Sequence, residues 1–431
     1  DPIEDMVSVN VEHIKLKEKA FAGQFATYHV YPYYPEFMNT QPSYTNFIDE
    51  KGNVNTYKAY LRDLKTFHNI PVMVGEFGVP SSRGKAHNAR YSGFDQGNLT
   101  EQEQGEALRS MSLDIVDENY MGALIFAFQD EWFKRTWNTM DYSLSWRRPF
   151  WNDVETNEQM FGLLSFDPGE ETLVHLDGDS SEWSEDDLVH ETGEYALHTK
   201  HDERYLYLMV KADATIKNKE HFIAFDTIPE QGNTTYDAKN LEFARGTEFI
   251  VHIKDNASRL MVDPYYDTFN HHYATMLSMV EADPYSAVKD SGTFNRIHHA
   301  LSSELYLPLT EETIPFEKYE TGALTKGISD PSHESFNSLA DYYYGEDFVE
   351  IRLPWLLLNI MDPSTKMMMD DFHETTPFTA TAYDAIHLGV GNASAPITFG
   401  SYTYEEWTLP TYHERLKESY YIVKDTFETI D

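Results

Sequence analysis

Polar and aromatic side chains stand at the ends of three apolar runs in the first third of the chain. The carboxylate Glu76 lies at the end of the second run, VMVGEF. The other candidate site residues end or follow the first and third runs: His29, Tyr31, Tyr33, Tyr34, Gln129, Asp130, Glu131, Trp132 and Trp137. A carboxylate beside tyrosine hydroxyls can act as a nucleophile, whereas a carboxylate paired with arginine is structural. The aromatic residues can contact a ligand or pack the rim of the fold.

The apolar runs have the pattern of buried strands, and helical patterns separate them. The predicted strands are residues 25–31, 72–77 and 123–128, and the predicted helices are residues 57–68 and 100–120. Thr100 and Glu103 form a capping-box pattern at the start of the second helix. Strands and helices in alternation predict parallel βα units. The carboxyl ends of such strands meet at one edge, so we expect the candidate residues to lie together.

Three segments resemble the last strands of the retaining (β/α)8-barrel glycoside hydrolases. FATYHVYPYYP is similar to strand six, VMVGEFGVPSS to strand seven, and ALIFAFQDEWFK followed by TWN to strand eight. The resemblance implies that residues 1–165 are the C-terminal part of a TIM (β/α)8 barrel. It also implies that Glu76 is the nucleophile, that the Tyr and His residues of the first strand face the sugar, and that the aromatic residues after the third strand line the sugar subsite.

The resemblance leaves the acid/base residue outside this chain. Retaining hydrolysis needs two carboxyl groups about 5–5.5 Å apart, and in this family the acid/base is a Glu that follows an Asn at the end of strand four. Three strands are at most the last three units of a barrel. We therefore expect the N-terminal part of the barrel to be a separate fragment or a missing region. The pair Asn157-Glu158 lies in a loop past the third strand, so it is not assigned this role.

The remainder, residues 166–431, has an all-β pattern. Short alternating or apolar runs between turn-rich acidic segments predict an antiparallel β-sandwich. The clearest of these runs are residues 205–210, 222–225, 248–253, 348–353 and 397–404. Residues 264–344 have no clean pattern, and we expect a long insertion there.

The sandwich has a resemblance of its own. LDGDSSEW, YLYLMVKAD and VEIRLPWLLLNIMDPS are similar to carbohydrate-binding-type sandwiches attached to xylan-active and related enzymes. We expect Trp183 and Trp355 in its core. Asp177 and Asp179 are candidate ligands of a structural calcium ion, because oxygen ligands on a turn suit that metal. No cofactor is expected to be required.

Charge and composition limit the class of partner. The formal net charge is −39, which disfavours nucleic acid and anionic membrane surfaces and permits a neutral polymer. Residues 1–165 hold 23 acidic and 15 basic residues, a net of −8, so the rest carries −31; this change supports a boundary near residue 165. The chain has no cysteine, which excludes disulfides and thiol nucleophiles. No apolar run is long enough for a membrane span.

The sequence thus predicts a glycoside hydrolase, or its C-terminal portion, that cleaves a poly- or oligosaccharide by a retaining mechanism. The alternative is a non-catalytic glycan- or cell-wall-binding protein on a glycosidase-like scaffold. The first residues, DPIEDMVSVN, carry no initiator Met and no signal peptide, so we expect a mature form or a piece of a longer protein. An extracellular or cell-surface location is expected, and a cytoplasmic one is compatible.

Overall fold

The computed structural model describes residues 13–212, 216–275, 277–281, 283, 286–374 and 378–430; the opening DPIEDMVSVN lies outside them. The fold is mixed α/β with many antiparallel sheets. Its helices are α1 (Pro42–Thr45), α2 (Thr56–Thr66), α3 (Glu101–Asp117), α4 (Thr268–Thr275) and α5 (Glu418–Phe427).

The strands of the first half are β1 (Ala26–His29), β2 (Val72–Phe77), β3 (Ala123–Ile125), β4 (Leu164–Pro168), β5 (Leu188–Glu191), β6 (Ala196–His201), β7 (Tyr205–Lys211), β8 (His221–Asp226), β9 (Asn233–Tyr236), β10 (Leu241–Thr247), β11 (Phe249–Ile253) and β12 (Arg259–Val262). Those of the second half are β13 (Asn295–Arg296), β14 (His298–Ser302), β15 (Leu305–Leu307), β16 (Glu312–Ile314), β17 (Glu317–Glu320), β18 (Tyr342–Tyr344), β19 (Phe348–Pro354), β20 (Ile360–Asp362), β21 (Met367–Met369), β22 (Ala380–Ala382), β23 (Ile386–Gly391), β24 (Gly400–Tyr402) and β25 (Tyr412–Leu416).

The first part is a three-stranded parallel sheet in the order β1-β2-β3. The strand β2 covers the predicted residues, whereas β1 and β3 are shorter than predicted. The helices α2 and α3 follow the predicted periodicities. Thr100 caps α3, and its side chain and that of Glu103 make both hydrogen bonds of the capping box. Among the described residues the parallel sheet has three strands and does not close into a barrel.

The large β-rich part has two main sheets. One is six-stranded, β13-β12-β11-β8-β23-β24, and the other is five-stranded, β18-β19-β7-β6-β5. Side chains from both sheets enter one apolar core, among them Leu208 of β7 and Phe225 of β8. Trp183 and Trp355 are buried, as predicted. The indole N–H of Trp183, in a separate buried cluster, donates to Glu350 Oε1 at 2.8 Å, which satisfies this polar atom.

The described part of the stretch without a sequence pattern contains two antiparallel strand pairs. The strand β14 pairs with β17, and β15 pairs with β16 as a hairpin. Tyr319 of β17 accepts a hydrogen bond from the backbone N–H of Lys85, at 2.7 Å, and Glu317 pairs with Arg90 at 3.1 Å. This insertion therefore braces the loop that follows β2.

The end of the chain departs from the predicted domain plan, which placed residues 166–431 in the sandwich. The strand β25 pairs with β4, and α5 packs on α3. Gly105 permits this approach, because a Cβ at that position would meet the side chain of Ile422 at 2.6 Å. Arg415 fixes the segment through ion pairs with Glu101 and Asp167. Residues 412–430 thus lie against the parallel-sheet part.

The β-rich part should lose the stability that protonated Glu248 contributes as the pH rises. Glu248 is fully buried, and burial raises its pKa from 4.5 to about 8. The folded state therefore keeps this proton to a higher pH than the unfolded state, so its stabilising effect is complete below pH 4.5 and is lost as the pH rises through about 8. Within that window we expect this group to lower the free energy of unfolding by about 1.4 kcal/mol per pH unit.

The matched variants for this prediction are Glu248→Gln and Glu242→Gln. Glutamine at position 248 is neutral at every pH, so we expect a flatter pH profile and a more stable protein at pH 8. Glu242 is exposed, and its replacement should leave the wild-type profile unchanged. Urea titrations between pH 4.5 and 8.5 measure both. Parallel profiles of wild type and Glu248→Gln would contradict the assignment.

No helix in the described part of the chain combines the length and apolar composition that a bilayer crossing requires.

Candidate active site

Glu76 lies near the end of the central strand β2, opposite His29 of β1. Tyr31 donates its hydroxyl to Glu76 Oε2 at 2.8 Å, and the His29 Nδ1 atom lies 3.1 Å from the same oxygen. The side chain of Glu76 keeps 32% of its surface exposed. Within the described residues it has no arginine partner, so the structural alternative finds no support. A half-exposed carboxylate held by a phenol is a suitable nucleophile.

The glycines around Glu76 allow the strands to approach one another. A Cβ at Gly75 would collide with the hydroxyl of Thr27 on β1, and a Cβ at Gly78 would collide with the carbonyl of Phe126. The GEFG sequence therefore places Glu76 where both neighbouring strands end.

A wall of aromatic rings runs from Glu76 to the loop after β2. The ring of Tyr31 stacks on Tyr33 at 5.6 Å, and Tyr33 stacks on His87 at 6.0 Å with an angle of 9°. Trp137 continues the wall, with its ring 5.9 Å from that of His87. Burial, and for Tyr31 the hydrogen bond to Glu76, raise the pKa of both Tyr31 and Tyr33. Both phenols therefore stay protonated at neutral pH, and that of Tyr31 donates to Glu76.

A second carboxylate, Glu158, lies within electrostatic range of Glu76. Gln96 donates its side-chain amide to Glu158 Oε1 at 2.7 Å, and the Gln96 carbonyl oxygen lies 2.6 Å from His87 Nδ1. Burial raises the pKa of Glu158, and the negative charges of Glu131 and Glu76 raise it further, against the opposing charge of Lys134. Glu158 is thus close enough to Glu76 for the two charges to interact.

The loop of Glu158 is held by buried polar contacts. Thr136 donates its hydroxyl to Asn157 Oδ1 at 2.6 Å and accepts the backbone N–H of Glu158 at 3.2 Å. Asn157 in turn donates to the carbonyl of Gln96 at 2.7 Å. The Asn-Glu pair was visible in the sequence, but its loop position gave no signal that it returns to Glu76.

The residues after β3 divide between two environments. Glu131 approaches Lys134 at 3.6 Å beside Glu158, and Trp137 joins the aromatic wall. Asp130 is buried and pairs with Lys417 at 2.7 Å, and Trp132 packs edge-on against Tyr412 at 6.3 Å. The last two side chains contact the C-terminal segment, so their contacts are structural and differ from the expected sugar contacts.

Tyr34 and Gln129 complete the candidate set, and both are exposed. Tyr34 exchanges backbone hydrogen bonds with Tyr31, at 2.9 and 3.1 Å, and its side chain is largely exposed. Gln129 forms an isolated parallel bridge with Leu164. Their contact with substrate stays a prediction.

The calcium prediction concerns a turn far along the chain from this pocket. Asp177 Oδ1 accepts the backbone N–H of Asp179 at 2.7 Å, and Asp179 Oδ1 accepts that of Ser181 at 3.0 Å. Two carboxylates supply fewer than the six to eight oxygens that calcium takes. The described residues contain no group of three or more His, Asp or Glu side chains that could hold a metal ion. Calcium at this turn stays a prediction.

Comparison with known proteins adds no assignment. No protein-family model matches the chain, and no curated protein matches its sequence. The function is therefore argued from the pocket itself, that is, from its carboxylates, phenols and aromatic wall.

Proposed function

We propose that the chain carries the nucleophile half of a retaining glycoside hydrolase. The observation that carries this proposal is the hydrogen bond from Tyr31 to Glu76 at the carboxyl ends of parallel strands. In parallel α/β folds the reacting groups lie at that edge, and aromatic rings beside a carboxylate suit the apolar face of a sugar.

The chemistry proceeds in two balanced steps. Glu76 attacks the anomeric carbon, the glycosidic C–O bond breaks, and the leaving oxygen takes a proton from an acid/base Glu expected outside this chain. Water, deprotonated by the same acid/base, then cleaves the glycosyl-enzyme ester and regenerates Glu76. In the free enzyme the protonated Tyr31 donates to Glu76 Oε2, which holds the carboxylate in place for the attack.

For the fold, we propose that β1, β2 and β3 are the last strands of a (β/α)8 barrel. Among the residues that the structure describes, neither outer strand of this sheet pairs with a fourth strand, and a parallel sheet is stable when its edges and faces are covered. Leu124, Phe128 and Phe427 are exposed and line an apolar cleft of about 620 Å3 between β3 and α5. About five further βα units, from the same protein or a second chain, would close the barrel over this cleft.

The proposed substrate is a neutral poly- or oligosaccharide outside the cell or at its surface. The strong negative charge supports an uncharged polymer over nucleic acid. The β-sandwich, similar in sequence to carbohydrate-binding domains, would hold the same polymer near the pocket.

Activated substrates test the reaction without the acid/base residue. 2,4-Dinitrophenolate leaves without protonation, so the chain should release it from one or more 2,4-dinitrophenyl β-glycosides in a panel of glucose, galactose, mannose and xylose. Proton NMR of the first sugar product should show the β anomer, the configuration of the substrate. A first product with the α configuration would contradict the retaining mechanism. Binding of oligosaccharides without any phenolate release would support the glycan-binding alternative.

A further inference from the structure

Glu158 lies close enough to Glu76 for the two charges to interact, although 82 residues separate them along the chain. A continuous set of contacts joins the two carboxylates: Tyr31 contacts Glu76, the rings of Tyr33 and His87 follow, and Gln96 holds Glu158. The amide of Gln96 is fixed at both ends, since its oxygen contacts His87 and its nitrogen donates to Glu158 Oε1. The carboxylate of Glu158 is therefore oriented before any ligand arrives.

Glu158 keeps capacity to accept hydrogen bonds. The described contacts engage its Oε1 atom through Gln96, and an ionised carboxylate has about four acceptor sites on its two oxygens. The side chain is half-buried, so hydrogen bonds there are stronger than in open water. Vicinal hydroxyl groups of a sugar are donors that match such a carboxylate.

The pocket also carries excess negative charge. The negative charges of Glu131 and Glu76 act on Glu158, and the positive charge of Lys134 opposes them there. A ligand carboxylate in this half-buried site would meet like charges, which repel more strongly there than in water. A neutral sugar meets no such penalty.

We propose that Glu158 is a substrate-binding carboxylate of the Glu76 pocket, and that it restricts the pocket to sugars without an acidic group. This inference rests on the proposed glycoside hydrolase function and adds to it the class of sugar and a specificity-determining residue. Glu158 binds sugar hydroxyls, and its charge, together with those of Glu76 and Glu131, excludes uronic acids.

Rates of covalent labelling test this directly. The probes are the 2,4-dinitrophenyl 2-deoxy-2-fluoro-β-glycosides of glucose and glucuronic acid, and of galactose and galacturonic acid. Intact mass of the chain gives the labelling rate. Wild type should react with at least one neutral probe about a hundredfold faster than with its uronic counterpart. Because the intrinsic reactivity of each probe is the same for every variant, it cancels when that ratio is compared between variants.

Two substitutions separate contact from charge. Glu158→Gln preserves an oxygen for Gln96 but removes the charge, so we expect the neutral-sugar rate to fall about tenfold, the loss of one hydrogen bond to a charged group, and the ratio to fall about tenfold as well. Glu158→Asp keeps the charge on a shorter side chain, so the neutral rate should fall while the ratio stays high. Glu170→Gln, an exposed carboxylate outside the pocket, should keep both wild-type values.

The outcomes distinguish this inference from the proposed function. If wild type is labelled and a folded Glu158→Gln variant is labelled at the same rates, the binding role of Glu158 is overturned and the proposed function stays intact. A Glu158→Gln variant that reacts normally with dinitrophenyl probes, but loses activity on poorer leaving groups, identifies Glu158 as the general acid and also overturns it. Failure of wild type to react with any probe refutes the function, and this inference with it.

Discussion

The Glu76→Gln variant should form the glycosyl-enzyme about a thousandfold more slowly than wild type, or not measurably. Glutamine has the shape of glutamate but lacks the negative charge that attacks the anomeric carbon. The side chain is 32% exposed and accepts its hydrogen bond from a neutral phenol, so the amide oxygen can still accept from Tyr31. We therefore expect the free energy of unfolding to change by less than about 1 kcal/mol.

The control for this loss is Tyr31→Phe. It keeps the ring that stacks on Tyr33 but removes the hydroxyl, so it should slow the reaction without abolishing it. A Glu76→Gln variant with the wild-type labelling rate would show that another group is the nucleophile. A variant that fails to fold would instead indicate a structural carboxylate.

The Arg83→Met variant should lose about 3–5 kcal/mol of stability, the effect of leaving buried charges without their partner. Arg83 follows β2 and is buried; its Nη1 lies 2.5 Å from Glu155 and its Nε 2.8 Å from Asp341. Both carboxylates are themselves buried. Arg83 also donates to Thr321 and to the carbonyl of Ala323. Its removal would therefore loosen the contact between the parallel-sheet part and the insertion of the sandwich.

Guanidinium chloride unfolding of Arg83→Met and Arg62→Met measures this effect. Arg62 pairs with Glu118, but its side chain is half-exposed, and such pairs contribute less than about 1 kcal/mol. The deficit of Arg83→Met should shrink as the pH falls, because burial raises the pKa of Asp341, which then takes up a proton. If both variants lose the same small amount of stability, the buried ion pairs of Arg83 contribute little to holding the parallel-sheet part and the insertion together.

The local elements of the first part could be predicted because their signals are local. Pro71 and the apolar run after it define β2, and Thr100 with Glu103 defines the start of α3. Tyr31, His29 and Glu76 also came together as expected, because adjacent parallel strands bring their carboxyl ends to one edge.

The remaining features depend on contacts between distant residues. Glu158 reaches the pocket through Gln96, which lies 62 residues before it, and no periodic pattern marks that contact. Asp130 pairs with Lys417, 287 residues along the chain. Its position at a strand end predicted contact with the substrate, and nothing local in the sequence indicates the lysine partner. The packing of α5 on α3 depends on Gly105. In the sequence a glycine at this position only suggests a weakened helix, whereas in the structure it allows the two helices to approach closely.

The most direct test of the central claim is to locate the covalent label. Wild type is treated with a reactive 2,4-dinitrophenyl 2-deoxy-2-fluoro-β-glycoside, digested with pepsin at low pH, and analysed by tandem mass spectrometry. We expect one added fluoroglycosyl group per chain, on the peptide that contains VMVGEFG and on Glu76 within it. A label on Glu158, Glu131 or any other residue would contradict the assignment of Glu76 as the nucleophile.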